Sequence, residues 1–331
     1  MTVTRSLSVR IGAALLAVPL ALAACAAPGA SPTTDASAPS SSAAAGDFPR
    51  TITHAAGETT IPERPERVVV LDTGELDSMV ALGIIPVGAV RAPVEDGLLD
   101  YLAPELEGTT ELVGTIDEPN LEQIAALQPD LILSSVLRHE DIYDELSQIA
   151  PTVFTEEVGV VWKENLAVHA EAVGMEEQAA QLLADYEARA AELGESLEAD
   201  LGELPEISVV RFLPGETRLY QKANFIGTVL TDTGLPRPES QDVDDFALVI
   251  SEEQIEQADG DVIFVTWYGP AEETTQSAFT ENPLWETLTA VEEGRVYEVP
   301  DDTWMLGIGI GAATIVLDEL EAYLSDAYRA E

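Results

Sequence analysis

Short runs of apolar residues alternate with segments of helical periodicity from about residue 60 onward. Because the runs contain few polar positions and are separated by helix-length stretches, they are typical of strands buried on both faces. The runs are Val68–Leu71, Val87–Val90, Leu131–Leu133, Val153–Phe154, Ile207–Val210, Val262–Val265 and Val296–Val299. This alternation predicts an α/β fold in which helices cover both faces of central parallel sheets.

The two halves of this pattern share a short motif. Glu122-Gln123-Ile124 precedes a strand that is led by Asp130, and Glu253-Gln254-Ile255 precedes a strand that is led by Asp261 at the same spacing. The repeat favours two similar lobes over one irregular domain.

A single long helix is predicted between the halves. Apolar residues recur at helical spacing from Glu176 to about Leu201, with no proline among them. A helix of this length makes a stiff connection between two lobes. The expected layout is a signal segment 1–24, a linker 25–46, an N-terminal lobe 47–175, the connecting helix 176–201 and a C-terminal lobe 202–331.

The N-terminus has the pattern of an export signal. Arg5 and Arg10 precede the apolar run Ile11–Ala24, which is too short to span a bilayer as a mature helix. The run ends at Cys25 in a sequence that resembles a bacterial lipobox, so Cys25 is the expected lipidation site. The alternative is ordinary signal cleavage beside an incidental cysteine. The Ala-, Ser- and Pro-rich segment Ala26–Gly46 is predicted to be a flexible linker.

Composition narrows the function further. The 331 residues include 61 acidic and 15 basic ones, for a net charge of −46, which disfavours nucleic acid as a partner. Cys25 is the only cysteine, so neither an internal disulfide nor a cysteine zinc site is expected. His54, His139 and His169 are far apart in sequence, which disfavours a histidine metal site.

Enzyme motifs are weak in this chain. Gly307 to Ala312 fits G-x-G-x-x-A, but no clear strand precedes it and the chain ends soon after. We therefore interpret it as a turn into the C-terminal helix. Neither a P-loop nor a G-x-S-x-G motif is present, and no enzyme activity is expected.

An ordered series of motifs resembles one known family. The series comprises Ile61-Pro62-x-x-Pro65-x-Arg67, Asp77 to Gly88, Pro119 to Leu133, Arg138 to Thr152, Trp162 to Asn165, Arg211 to Tyr220, Phe225 to Leu230 and Ala312 to Leu320. Over about residues 50–328 it resembles the iron-siderophore substrate-binding proteins of bacterial ABC importers. The resemblance implies two Rossmann-like lobes with central parallel sheets, joined by one long rigid helix.

The resemblance also implies a role. Such a protein is a monomer that is anchored to the cell membrane by its lipid alone. It needs no cofactor and provides no direct metal ligand. It delivers a ferric siderophore to an ABC permease whose ATPase is cytoplasmic. The Arg138-His139 pair resembles binders of hydroxamate and citrate-type siderophores. Haem or cobalamin binding by the same fold, and a surface or sensory lipoprotein without transport, are the alternatives.

Arginines and aromatic residues are the candidate ligand contacts. Arginine is scarce in this acidic chain, and its planar fork suits the clustered oxygens of a ferric siderophore. The resemblance and the placement near strand ends select Arg91, Arg138, Arg211, Arg218, Tyr220, Trp267, Tyr268 and Trp304. Structural ion pairs and core packing are the alternative roles of these side chains.

Glu122 and Glu253 are the candidate docking residues. The resemblance implies that one glutamate per lobe contacts arginines of the two permease subunits. The alternative is ordinary electrostatics in the first turn of a helix.

Overall fold

A hairpin and a parallel sheet form the core of the N-terminal lobe. The computed structural model describes residues 48–93 and 96–328, and the predicted signal peptide, Cys25 and linker fall outside these ranges. The hairpin pairs β1 (Arg50–His54) with β2 (Gly57–Ile61). The sheet has the order β5-β4-β3-β6-β7, and all its pairings are parallel. Its strands are β3 (Val68–Val70), β4 (Gly88–Arg91), β5 (Glu111–Thr115), β6 (Leu131–Ser135) and β7 (Thr152–Thr155).

Helices cover this sheet because most of its strands are buried on both faces. They are α1 (Thr73–Ala81), α2 (Ala103–Leu106), α3 (Leu121–Ala126), α4 (Val136–His139), α5 (Tyr143–Ile149) and α6 (Trp162–Val173), with a 3₁₀ turn at Glu140–Ile142. Gly174, at φ 71°, ends α6 in the left-handed conformation that favours glycine.

The connecting helix is α7 (Glu176–Leu201), which matches the predicted range. Its buried stripe includes Tyr186, Ala190 and Leu197. Gly194 belongs to the same stripe, and a Cβ there would lie 2.0 Å from the carbonyl oxygen of Thr233. Gly194 therefore marks a close approach of α7 to the C-terminal lobe.

The second sheet is mixed, whereas the sequence pattern predicted a wholly parallel one. Its order is β10-β9-β8-β11-β12, from β8 (Ile207–Leu213), β9 (Glu216–Tyr220), β10 (Ala247–Ile250), β11 (Val262–Trp267) and β12 (Val296–Glu298). Strands β8, β11 and β12 are parallel, but β9 is antiparallel to both β8 and β10. The cause is the tight turn at Pro214-Gly215, where Gly215 has φ 84° and folds β8 directly back into β9.

The remaining helices surround the second sheet. They are α8 (Phe225–Asp232), α9 (Gln276–Thr280), α10 (Thr289–Glu292) and α11 (Ile310–Tyr328). Short 3₁₀ segments lie at Glu252–Ala258, Ala271–Glu273 and Trp285–Thr287, and a π-helical turn at Asp302–Leu306 precedes α11. No helix among the described residues combines the length and the apolar character that crossing a membrane requires.

The two lobes share one plan. In each lobe, the middle strand of the sheet begins beside an aspartate from the repeated motif. Before β3, the backbone amides of Glu66 and Arg67 donate hydrogen bonds to the carboxylate of Asp130. The carboxylate of Asp261 accepts a hydrogen bond from the amide of Glu206 in the same way. The α/β class and the two similar lobes predicted from the sequence are therefore confirmed.

Asp77 on α1 ties the N-terminal lobe to the start of α11. Its carboxylate accepts hydrogen bonds from the amides of Gly311 and Ala312 at 2.8 and 2.9 Å. Tyr101 donates to the same carboxylate at 2.7 Å and also to the carbonyl of Gly307. The glycine-rich segment thus works as the capped start of a helix that is packed against an aspartate, which is the turn expected from the sequence.

Trp162 forms a second tie between the lobes. Its indole nitrogen on α6 donates to the hydroxyl of Thr228 on α8 at 2.8 Å. Its ring packs edge-on against Tyr186 of α7 and Phe225 of α8. Lys163 beside it forms an ion pair with Asp232 at 2.8 Å. A single apolar core runs through both lobes at this level and packs them against each other.

Candidate functional site

A cavity of about 450 Å³ lies between the two lobes. On the N-terminal side its lining follows strands β6 and β7, and on the C-terminal side it lies against the β8–β9 hairpin and the start of α8. The lining residues are Leu137, Arg138, Glu157, Val158, Gly159, Val160, Arg211, Arg218, Tyr220, Ala223, Asn224, Phe225, Ile226, Phe246, Trp304, Met305, Leu306 and Ile308. Three of the four predicted arginines and two of the four predicted aromatic residues therefore meet in one place.

Arg138 supplies the cation on the N-terminal side. Its Nε donates to Asp72 Oδ2 at 2.7 Å, and its side chain remains 31% exposed. Burial alone would lower the pKa of Arg138, but the buried Asp72 carboxylate more than compensates and raises that pKa. Asp72 holds the guanidinium through Nε alone, and within residues 48–93 and 96–328 the two terminal nitrogens make no hydrogen bond. Arg138 can thus present a fork to a ligand while it stays anchored.

Arg211 has a more structural environment. It donates from Nε and Nη2 to both oxygens of Asp301, at 2.7 and 2.5 Å, and from Nη1 to the hydroxyl of Tyr220 at 2.9 Å. Only 8% of its side chain is exposed. Burial works to lower the pKa of Arg211, but Tyr220 and Asp301 outweigh it and raise that pKa. Most donors of Arg211 are already used by Asp301 and Tyr220, which leaves few for a ligand.

Arg218 supplies the cation on the C-terminal side. It lies directly opposite Arg211 across the β8–β9 pair, on the same face of the sheet. Like charges in this position repel, and each arginine has its own acid: Arg211 has Asp301, and Arg218 has Glu216. Arg218 is 30% exposed and lies over the ring of Phe246 at 5.8 Å. The cavity therefore has one partly exposed arginine on each lobe.

Arg91 lies outside the cavity lining. It ends β4, and its guanidinium donates to the carbonyls of Ala92 and Pro93 at 3.2 and 3.3 Å. The structure does not bring it together with the other three arginines among the residues that line the cavity.

The predicted aromatic residues divide into two groups. Tyr220 and Trp304 line the cavity, although Trp304 is fully buried and donates to Glu319 at 2.5 Å. Tyr268 lies behind the cavity wall, with its ring 4.8 Å from the guanidinium of Arg211. Trp267 lines a separate cavity of about 400 Å³, whose lining includes Asp301.

Exposed apolar side chains form a part of the cavity that the sequence reading missed. Leu137 is 59% exposed, and Phe246 and Val160 are also exposed at the same cavity. Large apolar residues seldom stay exposed without a role when they lie close together. Leu137 precedes Arg138 and Phe246 precedes β10, but one apolar residue within a polar turn is too common a pattern to indicate a pocket.

Glu122 and Glu253 occupy equivalent places in the two lobes. Both are exposed, and each lies in the first turn that follows the outermost strand of its sheet, β5 or β10. The cap of α3 is provided by Asn120, whose side chain accepts from the amides of Glu122 and Gln123. The carboxylate of Glu122 is therefore not needed for capping.

His139 is a buried part of the lobe rather than a cavity residue. Its ring bonds to Ser134 at 2.6 Å and to the carbonyl of Ile116 at 2.7 Å. Within residues 48–93 and 96–328, His, Asp and Glu side chains nowhere form a cluster of three or more that could hold a metal ion.

The chain is similar to known binding proteins. Residues 68–303 match the model of the periplasmic binding protein family. A probable siderophore-binding lipoprotein of Bacillus subtilis, YfiY, is 39% identical over 286 residues, which cover 83% of this chain and 87% of that protein. The Fe(3+)-citrate-binding protein YfmC of the same organism is 31% identical and covers 77% of this chain and 79% of its own length.

A solved structure shows the same fold. SirA of Staphylococcus aureus, in complex with staphyloferrin B, superposes with a TM-score of 0.75 at 33% identity. The match covers 83% of this chain and 98% of SirA.

Proposed function

The chain belongs to the periplasmic binding protein family, and from this premise we propose that it is a receptor for a ferric siderophore. The observation that carries the proposal is the cavity between the lobes, with Arg138 and Arg218 on opposite walls and each about one third exposed. Arginines offer several donors to clustered anionic oxygens, and exposed apolar residues beside them fit the body of a rigid complex.

The cargo that fits best is an anionic complex of the citrate type, with hydroxamate-citrate complexes as close variants. Relatives named for Fe(3+)-citrate and a structure with staphyloferrin B support this class. The iron of such a complex is already ligated by the siderophore, so the protein contacts only the organic shell. This agrees with a cavity whose cations are arginines.

We place the receptor on the outer face of the cell membrane. Residues 1–24 would be removed as a signal peptide, and Cys25 would carry the lipid at the head of a linker that ends at residue 46. The lobes 47–175 and 202–331 and the helix 176–201 would then form one monomeric body that is attached through this linker. Relatives named as lipoproteins support this arrangement.

Delivery would require a permease but no chemistry by this chain. We propose that Glu122 and Glu253 contact the two subunits of an ABC permease, since they are exposed at matching places in the two lobes. A separate cytoplasmic ATPase would supply the energy. The receptor itself would bind and release its cargo without a catalytic step.

The binding test uses protein that starts at Ala26 and measures quenching of tryptophan fluorescence. Trp304 borders the cavity, so a ferric complex bound there should quench it. The panel comprises ferric citrate, ferric staphyloferrin B, a trihydroxamate and a catecholate, together with haem and cobalamin. Tyr220 and Met305 at the cavity are residue types that can ligate haem iron, which is why haem belongs in the panel.

Arg218→Ala is the diagnostic variant, and Arg189→Ala is its matched control. Arg189 is an exposed, ion-paired arginine on α7 that does not line this cavity. Saturable quenching by a ferric siderophore, weakened in Arg218→Ala and retained in Arg189→Ala, is the expected result. Saturable binding of haem or cobalamin without a siderophore response would overturn the proposal.

A further inference from the structure

Glu75 is a buried carboxyl group directly behind Arg138. It lies in the first turn of α1, three residues after Asp72, which is the acid that holds Arg138. Asp72 is the N-cap of α1 and Glu75 is the third residue of its first turn, positions whose side chains approach each other at the start of a helix. Glu75 is 1% exposed, and neither of its side-chain oxygens has a hydrogen-bond partner among the described residues.

His169 on α6 faces Glu75 and is equally buried. The His169 Nε2 atom lies 4.0 Å from Glu75 Oε1 and also has no hydrogen-bond partner within the described ranges. Its Nδ1 contacts the hydroxyl of Ser78 at 3.0 Å, and that hydroxyl donates to the carbonyl of Gly74. Since the hydroxyl proton is used, Nδ1 must donate, and Nε2 is then an unprotonated acceptor. Burial lowers the pKa of His169 to about 3, so the imidazole is neutral.

The charged groups around Glu75 disfavour a second negative charge. Burial, followed by the adjacent Asp72, raises the pKa of Glu75 to about 8, while Arg138 acts in the opposite direction. Of the elements packed on α1, helix α6 carries one lysine, Lys163, and its ammonium pairs with Asp232 and Glu187. Strand β3 is all valine, β4 ends in Arg91, and α11 meets Asp77 through backbone amides. The raised pKa of Glu75 therefore favours its neutral form near physiological pH.

The proton on Glu75 decides the charge behind the binding cavity. When Glu75 is protonated, the charges of Asp72 and Arg138 sum to zero, and the exposed guanidinium of Arg138 acts as a cation toward the cavity. With Glu75 ionised, two buried carboxylates stand behind one guanidinium, and the local charge becomes negative. An anionic ligand would then meet repulsion from two buried charges that solvent screens poorly.

We propose that Glu75 is a positioning residue for anion binding, and that a ferric siderophore of the citrate class binds to the form in which Glu75 carries a proton. This inference rests on the proposed function for its ligand, but the buried proton can be tested without one. Binding is coupled to proton uptake wherever the free protein has begun to lose that proton.

The sign of the pH dependence follows from linkage. Glu75 keeps its proton in the folded protein up to about pH 8, but loses it near its ordinary value of 4.5 when unfolded. The folded state therefore binds more protons than the unfolded state over this interval, and stability falls as pH rises. His169 works in the opposite sense only below its ordinary value of 6.5. Burial also raises the pKa of Asp77 on α1 to about 6, so the part of the interval above about pH 7.5 isolates Glu75 from both His169 and Asp77.

The experiment compares the wild type with Glu75→Gln, which imitates the protonated acid in shape and charge. Affinity for ferric staphyloferrin B and ferric citrate is measured at intervals from pH 6.5 to 9. In the wild type it should fall about fivefold or more. In Glu75→Gln the affinity should change with pH only to the extent that the ligand itself gains or loses protons. Glu164→Gln, which removes an exposed carboxylate from α6, should retain the slope of the wild type.

A second measurement needs no variant. Calorimetric titrations of the wild type at pH 8, in buffers of different ionisation enthalpy, count the protons taken up on binding. Net uptake is expected for each probe, after correction for protons that the probe itself exchanges. No uptake, or equal slopes in the wild type and Glu75→Gln, would overturn the proposal.

Failure of the proposed function is distinguishable from failure of this inference. The free energy of unfolding without ligand should fall from pH 6.5 to 9 in the wild type and fall less in Glu75→Gln. Parallel curves refute the buried proton whether or not any probe binds. Diverging curves with no siderophore binding refute the receptor role alone.

Discussion

Two arginines at this cavity, Arg211 and Arg218, are expected to have different roles because the ion pairs that they form differ in burial. Arg211 and Asp301 are nearly excluded from solvent, whereas Arg218 and Glu216 are both about one third exposed. Buried pairs lose several kcal/mol when one partner is removed, and exposed pairs lose little.

We expect Arg211→Ala to lower the free energy of unfolding by about 3 kcal/mol, because Asp301 would remain buried without its cation. Arg218→Ala should lower it by less than about 1 kcal/mol. The same Arg218→Ala substitution should weaken siderophore binding at least about tenfold, the loss expected for one charged hydrogen bond. Denaturant unfolding and fluorescence titration of both variants provide the comparison.

A reversed order, with Arg218→Ala unstable and Arg211→Ala stable but unable to bind, would contradict these assignments. The sequence identified both arginines but could not rank them. Their acids, Asp301 and Glu216, are only two among 61 acidic residues. Only the fold shows which carboxylate reaches which guanidinium, and how much water remains around the pair.

For Gly194→Ala in helix α7, helix propensity and steric contact predict opposite changes in the free energy of unfolding. Alanine is a better helix former than glycine by about 1 kcal/mol, so helix propensity alone predicts that Gly194→Ala stabilises the protein. The structure predicts the opposite, because the new Cβ would lie 2.0 Å from the carbonyl oxygen of Thr233. We expect a loss of at least about 2 kcal/mol, measured by denaturant unfolding.

A neutral or stabilising Gly194→Ala would show that α7 does not approach Thr233 so closely. Gly97→Ala is the matched control, since a Cβ at Gly97 meets nothing within 4 Å and its backbone is not in the left-handed region. It should change stability by less than about 0.5 kcal/mol.

A related prediction concerns Gly309 at the start of α11. A Cβ on Gly309 would lie 2.3 Å from the nearer oxygen of Asp77, within the carboxylate that caps α11. Gly309→Ala should therefore separate α11 from α1 and lower the free energy of unfolding by about 2 kcal/mol or more. Hydrogen exchange should show faster exchange of the amides of Gly311 and Ala312. Unchanged protection of these two amides would contradict the proposed tie.

Helices and strands were predictable from the sequence where the periodicity of the apolar residues was clear. The buried strands β3, β6 and β11 and the whole of α7 follow from apolar runs and helical spacing. The hairpin of β8 and β9 was missed, although Pro214-Gly215 is a turn signal, because the alternation of apolar runs with helical segments predicted a second parallel sheet. That hairpin places Arg211 and Arg218 side by side, so the missed element is the one that builds half of the site.

The molecule as a whole should move little when it binds. The described residues belong to one compact unit, and the lobes are tied by α7, by Asp77 at α11 and by Trp162 at Thr228. Opening the cavity widely would break these contacts together. Small-angle scattering profiles of free and ligand-saturated protein should therefore superimpose, with at most a few degrees of closure.

A marked compaction on binding would refute the rigid connection. The double variant Asp77→Ala, Trp162→Phe removes both ties while it leaves α7 intact. It should give a broader free-state profile that narrows on binding. This variant shows that the measurement can detect closure when closure occurs.

Leu137, more than half exposed on the cavity wall, has a practical consequence for reporter design. Biosensors built from binding proteins often depend on dyes that register hinge motion, and a rigid receptor gives them little signal. Protein that starts at Ala26 contains no cysteine, so Leu137→Cys would accept a thiol-reactive dye at one defined position. Such a dye would sense the arriving iron complex directly by quenching, in a format suited to measuring ferric siderophores in culture fluid.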